Sequence, residues 1–226
     1  MTVMRRATLA EQAYEELQAQ ISTGRLPAGR RLLADELASQ LAISQTPVKE
    51  ALAQLERDGL VESEARHGSV VRRFTAEDIA EIYEARILIE THAIGAGVKA
   101  GRNTAAFLAS LQATYEAQQA HAERRNTEDL AEAIRLDRAF HEALVSLGAN
   151  RTMAGWHRML LRQTQTIRSY SLERYDIARA RAEHGAIIDA LHGINAPAAV
   201  RAVRDHLSRS REEMLSRAPE DLPPRP

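Results

Sequence analysis

Cysteine is absent from the 226-residue chain. Disulfides and thiolate metal sites are thereby excluded, and a reducing cytoplasm is the expected compartment. Aromatic residues are scarce, at 4%, which leaves little of the material that strand-rich cores favour. No apolar run approaches the ~20 residues of a membrane span, and residues 1–9 lack the apolar segment of a signal peptide. An excess of one charge is missing as well: the formal net charge is -1. Residues 1–73 carry ten Lys/Arg and ten Asp/Glu, so bulk charge gives no hint of nucleic acid and any such reading must rest on local arrangement. There is no HExxH, no glycine-rich phosphate loop and no nucleophile motif, so an enzyme is not expected. What remains is 44% hydrophobic and 27% charged, dominated by Ala, Leu, Arg and Glu. Such residues lose little side-chain freedom in a helix, so a mainly α protein is expected.

The first seventy residues have a clear order. Leu9, Ala13, Leu17 and Ile21 recur at four-residue spacing behind Thr8 as N-cap, with Gly24 as the stop. Residues 26–29 read as a turn. A short helix from Ala34 to Leu41 places Leu33, Leu37 and Leu41 on one face. After the tight Ala42-Ile43 connection, Ser44 is placed to cap a helix that runs to Asp58 and closes at Gly59. Val48, Leu52 and Leu55 face inward on it, while Gln45, Thr46 and Lys49 sit at its wet N-terminal end. Two short helices so joined make a helix-turn-helix, whose second helix can enter a major groove N-terminus first. The alternating runs Leu60-Val61-Glu62 and Val70-Val71-Arg72 flank Arg66-His67-Gly68, the pattern of a β-hairpin wing with a basic tip.

From Thr75, which forms a capping box with Asp78, nearly everything reads as helix. The expected segments are 75–100, 104–124, 127–147, 151–169, 174–193 and 197–217, an antiparallel all-helical bundle. The tail, residues 219–226, is rich in proline and expected to be disordered. The informative positions are polar residues on apolar stripes: Leu130, Ile134, Asp137, His141 and Leu144; then Ile177, Arg181, His184, Ile188 and Leu191; then Val203, His206, Leu207 and Met214. Burying ionisable groups is costly unless they are paired or bind metal. Asp137, His141, His184 and His206 would together supply four ligands suited to a first-row divalent ion. Taken singly, an Asp/His pair one turn apart is an ordinary surface link and a histidine on a stripe an ordinary core residue. His92, His121, His157 and His192 show no consistent partner and read as structural or exposed; Trp156 reads as core.

The order of elements and the segments 24–29, Glu36-Leu37-Ala38, 44–52, 55–61 and His67-Gly68 resemble the GntR family of bacterial regulators. That resemblance implies that residues 1–73 bind double-stranded operator DNA through Ser44, Gln45, Thr46, Lys49, Arg66, His67 and Gly68. The family usually has Arg where this chain has Gln45 and Lys49, and often Arg or Glu where it has Asp35. A Gln pairs best with adenine and a Lys offers one mobile charge in place of a planar fork, so the half-site is expected to differ at the base facing Gln45.

Residues 74–218 are similar to the FCD ligand-binding domain of the FadR-type branch. Asp137-Arg138-Ala139-Phe140-His141, Glu183-His184 and His206-Leu207 carry the likeness, and residues 86–90 match the domain's first helix. The resemblance implies that Asp137, His141, His184 and His206 hold a divalent metal ion, zinc foremost, with nickel, manganese or iron as alternatives. A small organic-acid effector would complete the ion's shell, and Arg86 would meet its carboxylate or else form a structural salt bridge; Arg162 and Arg168 are pocket residues or a solvated face. A homodimer on two-fold half-sites, repressing until the metabolite binds, is the implied mode of action. A regulator for which the metal is itself the signal, and a metal-dependent enzyme, are the alternatives.

Overall fold

The computed structural model describes residues 7–64, 68–124, 126–169 and 176–217. Arg66 and His67 at the expected wing tip, and the proline-rich tail, lie outside the described residues. The chain divides into two compact units, one of the residues up to Phe74 together with Thr166–Ser169 and one of the remaining described residues from Thr75 on.

In the first unit, α1 (Leu9–Ser22) opens with a reciprocal cap: the Glu11 N–H donates to the Thr8 hydroxyl and the Thr8 N–H donates to the Glu11 carboxylate. Its four-residue apolar spacing buries Ala13, Leu17 and Ile21. Then come β1 (Arg31–Leu32), α2 (Ala34–Leu41), α3 (Gln45–Arg57), β2 (Val61–Glu64) and β3 (Gly68–Val71). The strands form one antiparallel sheet in the order β1-β3-β2, with Val61 opposite Val71, Glu64 opposite Gly68 and Leu32 opposite Ser69. Leu17, Ile21, Leu37, Val48, Leu55, Leu60 and Val71 make the core that joins helices to sheet. The hairpin agrees with the alternation in the sequence. β1 was not expected, and Leu33 differs too: it is the N-cap of α2, 38% exposed, and not part of the buried face.

In the second unit, α4 (Ala76–Lys99) starts from the Thr75–Asp78 capping box. It is followed by α5 (Ala105–Ala122), α6 (Thr127–Ser146), α7 (Arg151–Ser169), α8 (Ile177–His192) and α9 (Ala196–Arg217). α4 packs against α9 and α6, α5 against α6 and α8, and α8 against α9. It buries residues on most of its circumference, from Ile79, Ile82 and Tyr83 to Ile94 and Val98, as a central helix must. Close approach is built in where a Cβ on Gly97 would lie 2.5 Å from the Leu147 Cβ. Two expected inward side chains face out instead. Trp156 is 58% exposed, and Arg181 is exposed and paired with Glu123 at 2.9 Å. The buried stripe of α8 runs through Ala180, His184, Ile187, Ile188 and Leu191, so His184, Ile188 and Leu191 lie on the expected face and Arg181 does not.

Candidate metal centre and nucleic-acid interface

Ser44, Gln45, Thr46 and Lys49 are all exposed at the start of α3, on the face opposite the buried Val48, Ala51, Leu52 and Leu55. The packing of the inner face therefore fixes which side chains stand in solvent. Ser44 is the N-cap residue, but its hydroxyl makes no capping bond. The N–H groups of the first turn favour an anion such as phosphate. Gly68 begins β3 with φ at 81°, exposed, a left-handed conformation that glycine adopts without cost.

The second unit gathers three buried imidazoles. His141 on α6, His184 on α8 and His206 on α9 each offer a ring nitrogen within 4.8 Å of the other two. Nε2 of His141 and Nε2 of His206 stand 3.3 Å apart. Phe140 stacks on His184 with ring centroids 4.3 Å apart and fixes that ring's plane. Asp137, one turn before His141, is buried but lies outside the group of three; its Oδ1 is 3.6 Å from His184 Nε2.

The opposite side of each ring is engaged. His141 Nδ1 is 2.7 Å from Glu90 Oε2, His184 Nδ1 is 3.0 Å from Gln118 Oε1, and His206 Nδ1 is 2.8 Å from Glu183 Oε2. An ionised carboxylate only accepts, so His141 and His206 donate through Nδ1, and their Nε2 atoms face one another. Burial pushes the His206 imidazole down to about 4, against the Glu183 hydrogen bond that works the other way, so His206 is neutral at pH 7 and its Nε2 carries a lone pair. Two nitrogens 3.3 Å apart are spaced as two ligands of one divalent ion would be. Neutral imidazoles held by acceptors on their far side are the usual donor set of a divalent site, so the residues present fit such an ion.

Glu90 ties this cluster to its surroundings. Burial alone would raise its pKa, but His141, Arg86 and His157 outweigh it and hold the carboxyl well below the usual range. Its Oε1 accepts from Arg86 Nε at 3.0 Å and from His157 Nε2 at 2.9 Å. His157 is thus a buried, partnered residue, contrary to the expectation that it had no consistent partner. Arg86 is fully buried, and its Nη2 has no hydrogen-bond partner among the described residues; the same holds for the Tyr83 hydroxyl. The guanidinium carbon lies 5.4 Å from the Tyr83 ring centroid. Each such buried donor costs about 1–3 kcal/mol if left unsatisfied.

Glu90, Gln118 and Glu183 are the functional residues that the sequence reading missed. Glu183 stands beside a singled-out histidine, yet on a helix consecutive residues do not face one another, and its contact is with His206 on another helix. Glu90 and Gln118 come from α4 and α5, neither of which offers a histidine to the cluster, so no spacing pointed to them.

A helix-turn-helix with a wing, followed in the chain by an all-helical unit, defines a class of DNA-binding regulatory protein. The chain belongs to the GntR family of bacterial regulatory proteins: residues 9–71 match that family's model and residues 81–209 match the FCD domain. It is a transcription regulator of that family. Its sequence is 29% identical over 203 residues to a probable D-xylose utilization operon transcriptional repressor of Paenarthrobacter nicotinovorans, an alignment covering 90% of this chain and 87% of that protein. It is 33% identical over 140 residues to the HTH-type transcriptional regulator YdhC of Bacillus subtilis, covering 62% of this chain and 61% of that one. Among solved structures, E. coli McbR/YncC matches with a TM-score of 0.79 at 22% identity, over 93% of this chain and 99% of that one, a likeness of fold. Relatives of this kind are transcription regulators. No described helix is long and apolar enough to cross a membrane.

Proposed function

We propose that this protein is a cytoplasmic, homodimeric repressor whose hold on its operator is released by a small carboxylate metabolite at a metal-containing pocket. The observation that carries this reading is the convergence of His141, His184 and His206 with their far nitrogens engaged. These three, with Asp137 beside them, would hold a divalent ion, zinc foremost. Bound there, the ion would supply positive charge and open coordination positions for carboxylate oxygens. Arg86 Nη2 and the Tyr83 hydroxyl are two buried donors without a hydrogen-bond partner among the described residues, which suit the same kind of ligand. Repression follows the xylose-operon relative and is the natural default for an operator-bound dimer.

On the DNA side, Gln45, Thr46 and Lys49 would read base edges, with Ser44 and the first-turn N–H groups on phosphate and Arg66, His67 and Gly68 at the wing. One such module contacts too few bases for tight, specific binding, so two copies on two-fold half-sites are needed. The metabolite acts as a switch only by binding one arrangement of the dimer better than the other.

The test begins with metal content by mass spectrometry of untagged, undialysed protein beside His184→Ala. About one ion per chain, lost in the variant, supports the centre. Small carboxylates are then screened for release of DNA selected from a random pool. No uptake of zinc, nickel or manganese removes the metal from the reading. DNA affinity that follows the metal and ignores every organic acid makes the metal itself the signal.

A further inference from the structure

Gln118 sits on α5, 1% exposed, with its amide spanning two residues of the histidine centre. Its Nε2 donates to Asp137 Oδ1 at 3.3 Å, and its Oε1 stands 3.0 Å from His184 Nδ1. The other two histidines rest on carboxylates, Glu90 and Glu183. The difference has a chemical reason. A carboxylate at 118 would face Asp137 with a second negative charge at hydrogen-bond distance, whereas an amide carries a donor and an acceptor on one plane.

From this we infer that Gln118 is a positioning residue that converts the charge of Asp137 into the tautomer of His184. The chain of constraint runs one way. The NH2 end of the amide is turned towards Asp137 and donates to its Oδ1. The carbonyl end then faces His184 Nδ1 and requires a proton there. With Nδ1 protonated, a neutral imidazole keeps its lone pair on Nε2, the nitrogen on the side of Asp137, 3.6 Å away. In water the Nε2–H tautomer is ordinarily favoured, so without the amide His184 would place a proton where an ion needs a lone pair. The inference rests on the proposed metal reading for its use but not for its geometry.

The test is made on the full-length protein with ¹⁵N-labelled histidine, free of metal, at a pH where the imidazoles are neutral. Long-range proton–nitrogen correlation spectra identify the tautomer of each ring. His184 is expected as the Nδ1–H form in the wild type and to move towards Nε2–H in Gln118→Met, an apolar variant of similar length. A His184 that is Nε2–H in the wild type, or unchanged in the variant, overturns the inference. The wild-type spectrum alone decides this if Gln118→Met does not fold. In folded Gln118→Met, zinc affinity by chelator competition is expected to fall about 10–100-fold, the usual effect of losing such an outer partner. An unchanged affinity beside a wild type that binds zinc overturns the inference and leaves the metal reading standing. A wild type that takes up no zinc yet shows the Nδ1–H tautomer overturns the metal reading alone.

Discussion

Gln45 and Lys49 stand exposed on the first turns of α3, where the family pattern has arginines. An arginine fork can grip both guanine acceptors at once, while a glutamine matches the donor–acceptor pair of adenine. Gln45→Arg is therefore expected to shift the selected half-site towards guanine at one position, by about 1–3 kcal/mol of discrimination. Selection from random DNA with both proteins checks it; identical half-sites would remove Gln45 from base reading. At this scale the sequence was legible where chemistry and position coincide in one stretch of chain. Histidines on apolar stripes could be singled out because a polar residue interrupting a stripe demands an explanation. Their outer partners could not, because Glu90 and Gln118 acquire meaning only when α4 and α5 are packed against α6 and α8.

Elements were legible through their ends. The N-cap at Thr8, the capping box at Thr75 and the wing hairpin follow from local residue types, and the structure has them. The two-residue β1 carries too few positions for alternation to register, and Arg181 was read onto the buried face of α8, with His184, Ile188 and Leu191, because it falls at a plausible spacing. Three glycine-related positions bring the geometry of elements to a test. Ala42 links α2 to α3 with φ at 54°, a left-handed conformation that costs a non-glycine residue about 1–2 kcal/mol. Ala42→Gly is expected to stabilise the protein by roughly 0.5–1 kcal/mol after glycine's own entropic cost is counted; a lower urea midpoint would contradict this. Gly97→Ala would drive a methyl against Leu147, at 2.5 Å from its Cβ and 2.7 Å from its carbonyl oxygen, and is expected to cost about 1–3 kcal/mol. Gly155→Ala on α7, where an added Cβ meets nothing within 4 Å, is the control and should gain roughly 0.5–1 kcal/mol from helix propensity. If both substitutions behave alike, the close approach of α4 to the end of α6 is not what glycine 97 serves.

For the whole molecule, the histidines matter because of where they lie in the chain. His141, His184 and His206 belong to three helices and span 65 residues of sequence between the first and last, so an ion held by all three cross-links segments that the unfolded chain keeps apart. A ligand that binds only the folded state stabilises it by mass action, about 2.7 kcal/mol at a hundredfold excess over Kd. For a chain of this size each kcal/mol moves Tm by about 2–4 °C, so zinc added to chelator-stripped protein is expected to raise Tm by roughly 5–10 °C. The rise should grow with zinc concentration and be absent in His184→Ala, whose stripped form should melt near or below the stripped wild type. Circular dichroism at several zinc concentrations makes the measurement. A rise of equal size in the variant would place the stabilising ion elsewhere, and no rise in the wild type would mean that the three imidazoles meet for packing and hydrogen bonding alone.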